Sequence, residues 1–130
     1  MKYSYSKDIE SGFEETEKKI RKVLMDVGFG VLTEINIKKA FKEKLNLEYK
    51  NYMILGACNP TLAHKGLENE SFLGILMPCN ILLIDNDDGL STKIVFPYAK
   101  SLLEVTENES ISDLANEVDD LLRSAFDAIK

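Results

Sequence analysis

From residue 111 onward the chain carries an apolar stripe that only a buried helix satisfies. Ile111, Leu114, Ala115, Val118, Leu121, Leu122, Ala125, Phe126 and Ile129 follow one another in steps of three or one. That is the spacing of a single helical face. Glu117, Asp119, Asp120 and Arg123 fall on the water side of the same helix. Ser110-Ile111-Ser112-Asp113 has the form of a capping box and sets its expected start. A stripe this long demands a second layer to lie against.

The upstream segments supply that layer as strands. Tyr52–Cys58 (YMILGAC) is apolar on both faces, which suits an inner strand covered on both sides or lying at a subunit contact. Cys79–Asp85 (CNILLID) reads as another strand, and residues 92–96 return as its hairpin partner across Asn86-Asp87-Asp88-Gly89. Asp-Gly tolerates the positive φ that tight hairpins require. Residues 2–6 alternate aromatic and polar side chains, and residues 30–35 form a further apolar run, so both are expected strands.

Helical signals fall between these strands. Ser11-Gly12-Phe13-Glu14 has a capping-box form, and Phe13, Ile20, Val23, Leu24 and Val27 make one apolar face that ends at Gly28. Asn36 is placed to cap a short helix that buries Ile37, Ala40, Phe41 and Leu45. Asn59-Pro60 is a cap followed by proline at the first helical position, which predicts a helix over 60–68. Pro97 opens a short helical piece that runs to Leu103. The expected order is β-α-β-α-β-α-β-β-α, with a short helical turn before the last helix. This order predicts an α+β two-layer sandwich, mainly antiparallel, with helices packed on one face of the sheet.

Length and composition narrow the function classes. With 130 residues and no linker, repeat or low-complexity stretch, residues 1–130 read as a single domain. Sixteen Lys plus Arg against 22 Asp plus Glu give a net charge of −6, which argues against a nucleic-acid partner that must displace counterions from phosphates. No apolar run reaches the roughly 20 residues of a bilayer span, so no membrane partner is expected. The first residues lack the apolar core of a secretory leader. Two cysteines in such a chain point to a reducing compartment, the cytoplasm.

Signatures of common chemistry are missing. There is no phosphate-cradling glycine loop and no nucleophile elbow, and Gly28-Phe29-Gly30 precedes a strand rather than a helix. Aligning Gly89 with the invariant glycine of a calcium loop puts Ile84 and Val95 where carboxylates are needed, so the acidic turn is only a turn.

One echo remains. Ala57-Cys58-Asn59-Pro60 ends one strand and Met77-Pro78-Cys79-Asn80 begins the next. If those strands pair antiparallel, the two Cys-Asn units meet, with their cysteines within about 7 Å Cα to Cα, the limit for a bridge. Cys58 precedes a helix N-terminus, which is expected to lower its thiol pKa. His64 lies one turn into that helix. Cys58, Asn59, His64, Cys79 and Asn80 are therefore the candidate pocket, for which no cofactor is indicated. Against this stands the habit of unpaired Cys to be buried as a small hydrophobe, and of a helical His to be scaffold.

The run Leu55-Gly56-Ala57-Cys58-Asn59-Pro60, then Leu62-Ala63-His64, then Gly74-Ile75-Leu76-Met77-Pro78-Cys79-Asn80 resembles the domain-of-unknown-function 302 family of small bacterial and archaeal proteins. The resemblance covers about residues 12–128. Met77 stands where an aliphatic residue is usual, and Phe96-Pro97-Tyr98 where many members carry an acidic residue before the proline. The resemblance implies a compact two-layer α+β fold, commonly dimeric, and no established activity.

Four functions compete on these residues. They are a small-ligand or redox-linked pocket, a thiol enzyme with Cys58 as nucleophile and His64 as base, a soft-metal site of Cys58, Cys79 and His64, and a homodimeric interaction protein with no small-molecule site. A two-fold homodimer is expected in any case, because the apolar inner strand and helix stripe exceed what one small core covers.

Overall fold

The computed structural model describes residues 2–130. Five strands make one antiparallel sheet in the order β1-β5-β4-β3-β2, with β1 at Ser4–Ile9, β2 at Gly30–Asn36, β3 at Tyr52–Cys58, β4 at Cys79–Asp85 and β5 at Thr92–Pro97. Five helices are threaded between and after them: α1 (Phe13–Asp26), α2 (Ile37–Leu45), α3 (Pro60–Asn69), α4 (Ala99–Leu103) and α5 (Ser112–Ala128). A 3-10 segment, Ser71–Leu76, links α3 to β4. The expected order and the α+β sandwich both hold.

Strand alternation sorts the sheet into two faces. Leu55, Ile81, Leu83, Ile94 and Phe96 point to one face and are fully buried there against Ile20 and Leu24 of α1 and Val118, Leu122 and Phe126 of α5. Each such side chain contributes about 1.5–3 kcal/mol when taken from water. Ile54, Leu82, Ile84 and Val95 point to the opposite face and are only half-buried. The helices α1, α3 and α5 thus share one face.

Gly28 ends α1 as its position predicts. It takes φ +85°, and its N–H and that of Phe29 bond back to the carbonyls of Met25 and Leu24, the two-bond closure that a left-handed residue allows. Asn36 caps α2 by accepting the Lys39 N–H at 3.0 Å.

Four expectations need correction. The capping box at Ser11 does not form, because Gly12 is the N-cap. The Ser11 carbonyl is instead held by the hydroxyl of buried Thr92 at 3.0 Å, which draws Ser11 away from the helix end. The box at Ser110 fails likewise. Its hydroxyl goes to Asn108, which caps a 3-10 turn, Glu109–Ile111, placed before α5. Next, α2 has no buried residue, and Leu45 is 64% exposed. It follows directly on the edge strand β2 and lies at the margin of the sheet beside β3. Finally, β1 begins at Ser4, because its register follows β5 from Ser4↔Pro97 to Ile9↔Thr92.

Candidate functional site

The strands β3 and β4 pair antiparallel, so the end of the first does lie beside the start of the second. The register is Gly56↔Asn80 and Ala57↔Cys79. Ala57, not Cys58, is therefore opposite Cys79. Directly opposed residues share a face and successive residues alternate. Cys79 joins Ala57 on the core side, and Cys58 turns to the other. The two Cys-Asn units are offset by one residue, so Cys58 and Cys79 are diagonal neighbours rather than directly opposed.

A cavity opens at this end of the sheet. The pairing of β4 with β5 stops at Leu82↔Val95, so Cys79, Asn80 and Ile81 have no registered partner on β5 where the strands part. The space there measures about 410 Å³. Residues of both sheet faces border it, including Cys79, Phe96 and Ala57 from one and Asn80, Leu82 and Val95 from the other. Leu62 and Ala63 of α3, Leu76 of the 3-10 segment, Leu102 of α4 and Leu114 of α5 complete the wall.

Two glycines shape that wall. A Cβ on Gly56 would collide with Thr33 and lie 2.6 Å from Pro78 Cγ, so the bare backbone lets Pro78 press onto β3. A Cβ on Gly66 would strike Leu73 and come within 3.0 Å of Leu114, so α3 reaches the 3-10 segment and α5 through its glycine.

Four of the five candidate residues border the cavity. Cys58, half-buried, ends β3 and is followed by Asn59, whose Oδ1 accepts the Leu62 N–H at 3.1 Å and so caps α3. Cys79 and Asn80 begin β4. The fifth, His64, stands apart. Its side chain is 76% exposed on the solvent side of α3, with Nε2 3.2 Å from Glu68 Oε1. Among the described residues no three His, Cys, Asp or Glu side chains come together as a metal site. The Cys58, Cys79 and His64 ligand set is thus not assembled, and His64 is not presented to Cys58 as a base.

The expected activation of Cys58 is also reversed. Burial pushes its thiol up from the ordinary value, despite the helix that follows. Cys79 is pushed up to about 11, chiefly by burial and then by Cys58 and Asp119. Both thiols are protonated at neutral pH and behave as apolar wall.

Asp119 is the residue of this region that periodicity misplaced. Its helical position puts it on the water side, yet its carboxylate accepts the N–H of Ala99 at 2.6 Å and of Lys100 at 3.0 Å. It thereby caps α4 and fixes one wall of the cavity. An acidic residue on the polar side of an amphipathic helix gives no local sign of this, because the partner lies 20 residues away.

This fold and its end cavity define a small α+β sandwich domain with an apolar chamber where the strands part. The chain belongs to the family described as Domain of unknown function DUF302, whose family model matches residues 5–129. It is similar to a solved structure, the uncharacterized conserved protein DUF302 from Bacillus stearothermophilus. The two are 26% identical, with a TM-score of 0.88 over 98% of each chain. No curated protein matches it.

Proposed function

We propose that this protein is a small-ligand-binding domain whose site is the cavity at the strand ends, bordered by Cys58, Asn59, Cys79 and Asn80. One observation carries the reading: a chamber of about 410 Å³ whose lining is apolar apart from a few converging polar groups. Ligand sites run from about 300 to 1,000 Å³ with this kind of lining. The unpaired, protonated thiols favour binding over thiol or metal catalysis. Among the described residues no helix is long and apolar enough to cross a membrane, and the two free thiols support a reducing, cytoplasmic setting.

A second copy of the chain is the proposed partner. Leu32 and Ile35 of β2, Leu45 of α2, and Leu47 and Tyr49 after it are all exposed. They cluster in one stretch of chain at the sheet edge, more apolar surface than isolated exposed residues present.

Native mass spectrometry tests the site. Protein purified without added metal or reductant, then incubated with an uncharged apolar fluorophore, should carry one fluorophore per chain. Val95→Trp, which fills the cavity, should lose it while still melting cooperatively. A chain that stays bare, or a Val95→Trp variant that binds as well as the parent, contradicts the reading.

A further inference from the structure

The cavity has walls of unusual electrical character. Among the described residues no Asp, Glu, Lys, Arg or His lines it. A fixed charge stands behind its wall: Asp119, held beside the cavity residue Ala99 by two backbone N–H groups and acting on Cys79 from that position. The cation closest in sequence to it, Arg123, is engaged elsewhere. Its guanidinium lies 4.1 Å from the Tyr5 ring centroid, and its Nη2 is 3.4 Å from the Tyr98 hydroxyl. An anionic group brought into this space would meet no counter-ion among the lining residues and feel a fixed carboxylate.

Hydrogen-bonding capacity, by contrast, is present in the lining, on the hydroxyls of Tyr3 and Ser4 and the amides of Asn59 and Asn80. The Asn59 oxygen is already used by the Leu62 N–H, and its Nδ2 abuts Gly28. Asn80 is different. It borders the cavity, its side chain is exposed, and among the described residues it makes no side-chain hydrogen bond. Its amide offers both a donor and an acceptor. It also stands where β4 has no registered partner on β5.

Resting on the cavity reading above, we infer that the ligand is an uncharged, mainly hydrocarbon molecule with one hydrogen-bonding head, of the amide or alcohol type. The hydrocarbon fills the space among Leu62, Leu76, Leu82, Val95 and Leu102, and the head is taken by Asn80. The lining disfavours carboxylates and phosphates by offering them no cation, not by size.

Competition for the uncharged fluorophore N-phenyl-1-naphthylamine tests this. At pH 7.5, dodecanamide and dodecanol should displace it at least about tenfold better than dodecanoate or dodecylamine, because only the latter two bring a charge to a lining that holds no opposite charge. Asn80→Ala should weaken dodecanamide and dodecanol several-fold more than it weakens the fluorophore. Asn80 is exposed, so this variant folds as the parent does. Dodecanoate or dodecylamine competing as well as dodecanamide would overturn the neutral-ligand inference and leave the cavity standing. No binding of the fluorophore, or binding that survives both Val95→Trp and Ala63→Trp, would overturn the cavity itself.

Discussion

Asn59 and Asp119 perform the same task at two walls of the cavity: each satisfies the N–H groups at the start of a helix, α3 for one and α4 for the other. Asn59→Ala should cost about 1 kcal/mol in urea unfolding, the usual worth of a cap. No loss would mean that the Pro60 turn holds itself. Tyr5 presents the reverse case. Its ring packs on Tyr98 at 4.8 Å and Phe126 at 4.7 Å, yet its hydroxyl is buried with no hydrogen-bond partner. Tyr5→Phe keeps the ring and removes the unsatisfied group, so stability should rise by up to about 1 kcal/mol. A loss of that size would reveal a bound water at the hydroxyl. Cys79 adds a pH dependence. Its thiol ionises at 9.0 in an ordinary setting and at about 11 here, so the unfolded chain releases the proton first. The stabilisation is complete below pH 9 and is lost as pH climbs through 11, about 3 kcal/mol in all. Comparing melts of the parent and Cys79→Ala at pH 7 and 11 isolates it. An unchanged gap between the two proteins would contradict the buried, neutral thiol.

Among the elements, Gly66 opposes two effects of similar kind. Alanine is the better helix former by about 1 kcal/mol. Its methyl, however, has no room between Leu73 and Leu114, and overpacking a tight contact costs about 1–3 kcal/mol. Gly66→Ala should therefore lower the melting temperature, and a rise would show that the 3-10 segment yields freely. The elements themselves were legible wherever a local pattern decided them. The stripe from Ile111 to Ile129, the Asn59-Pro60 cap and the Asp-Gly turn each hold, with Gly89 at φ +73°. What failed was decided across the chain. Ser11 was diverted from its cap by Thr92, a residue 81 positions away. The register of β3 against β4 slipped the two Cys-Asn units past each other by one residue. Repetition of a motif places two residues near one another, but only register decides which face each takes.

For the whole molecule, the apolar margin at β2 and α2 bears on assembly. Leu32 is 68% exposed and Leu45 64%. Light scattering should give twice the 14.7 kDa chain mass, and Leu45→Asp should return the monomer. A 14.7 kDa parent at micromolar concentration would show that the margin stays wet. The cavity was only half legible. Four residues of the Cys-Asn echoes border it, but its walls come from α3, α4, α5 and both sheet faces, an arrangement no local pattern encodes. His64 was grouped with them by sequence proximity, and helix phase carried it to solvent. The most direct test is a methyl nuclear magnetic resonance titration with N-phenyl-1-naphthylamine. The methyl signals of Leu62, Leu76, Leu82, Val95 and Leu102 should shift together and saturate at one equivalent. Shifts confined to Leu32, Ile35, Leu45 and Leu47, with the cavity methyls unmoved, would contradict the account.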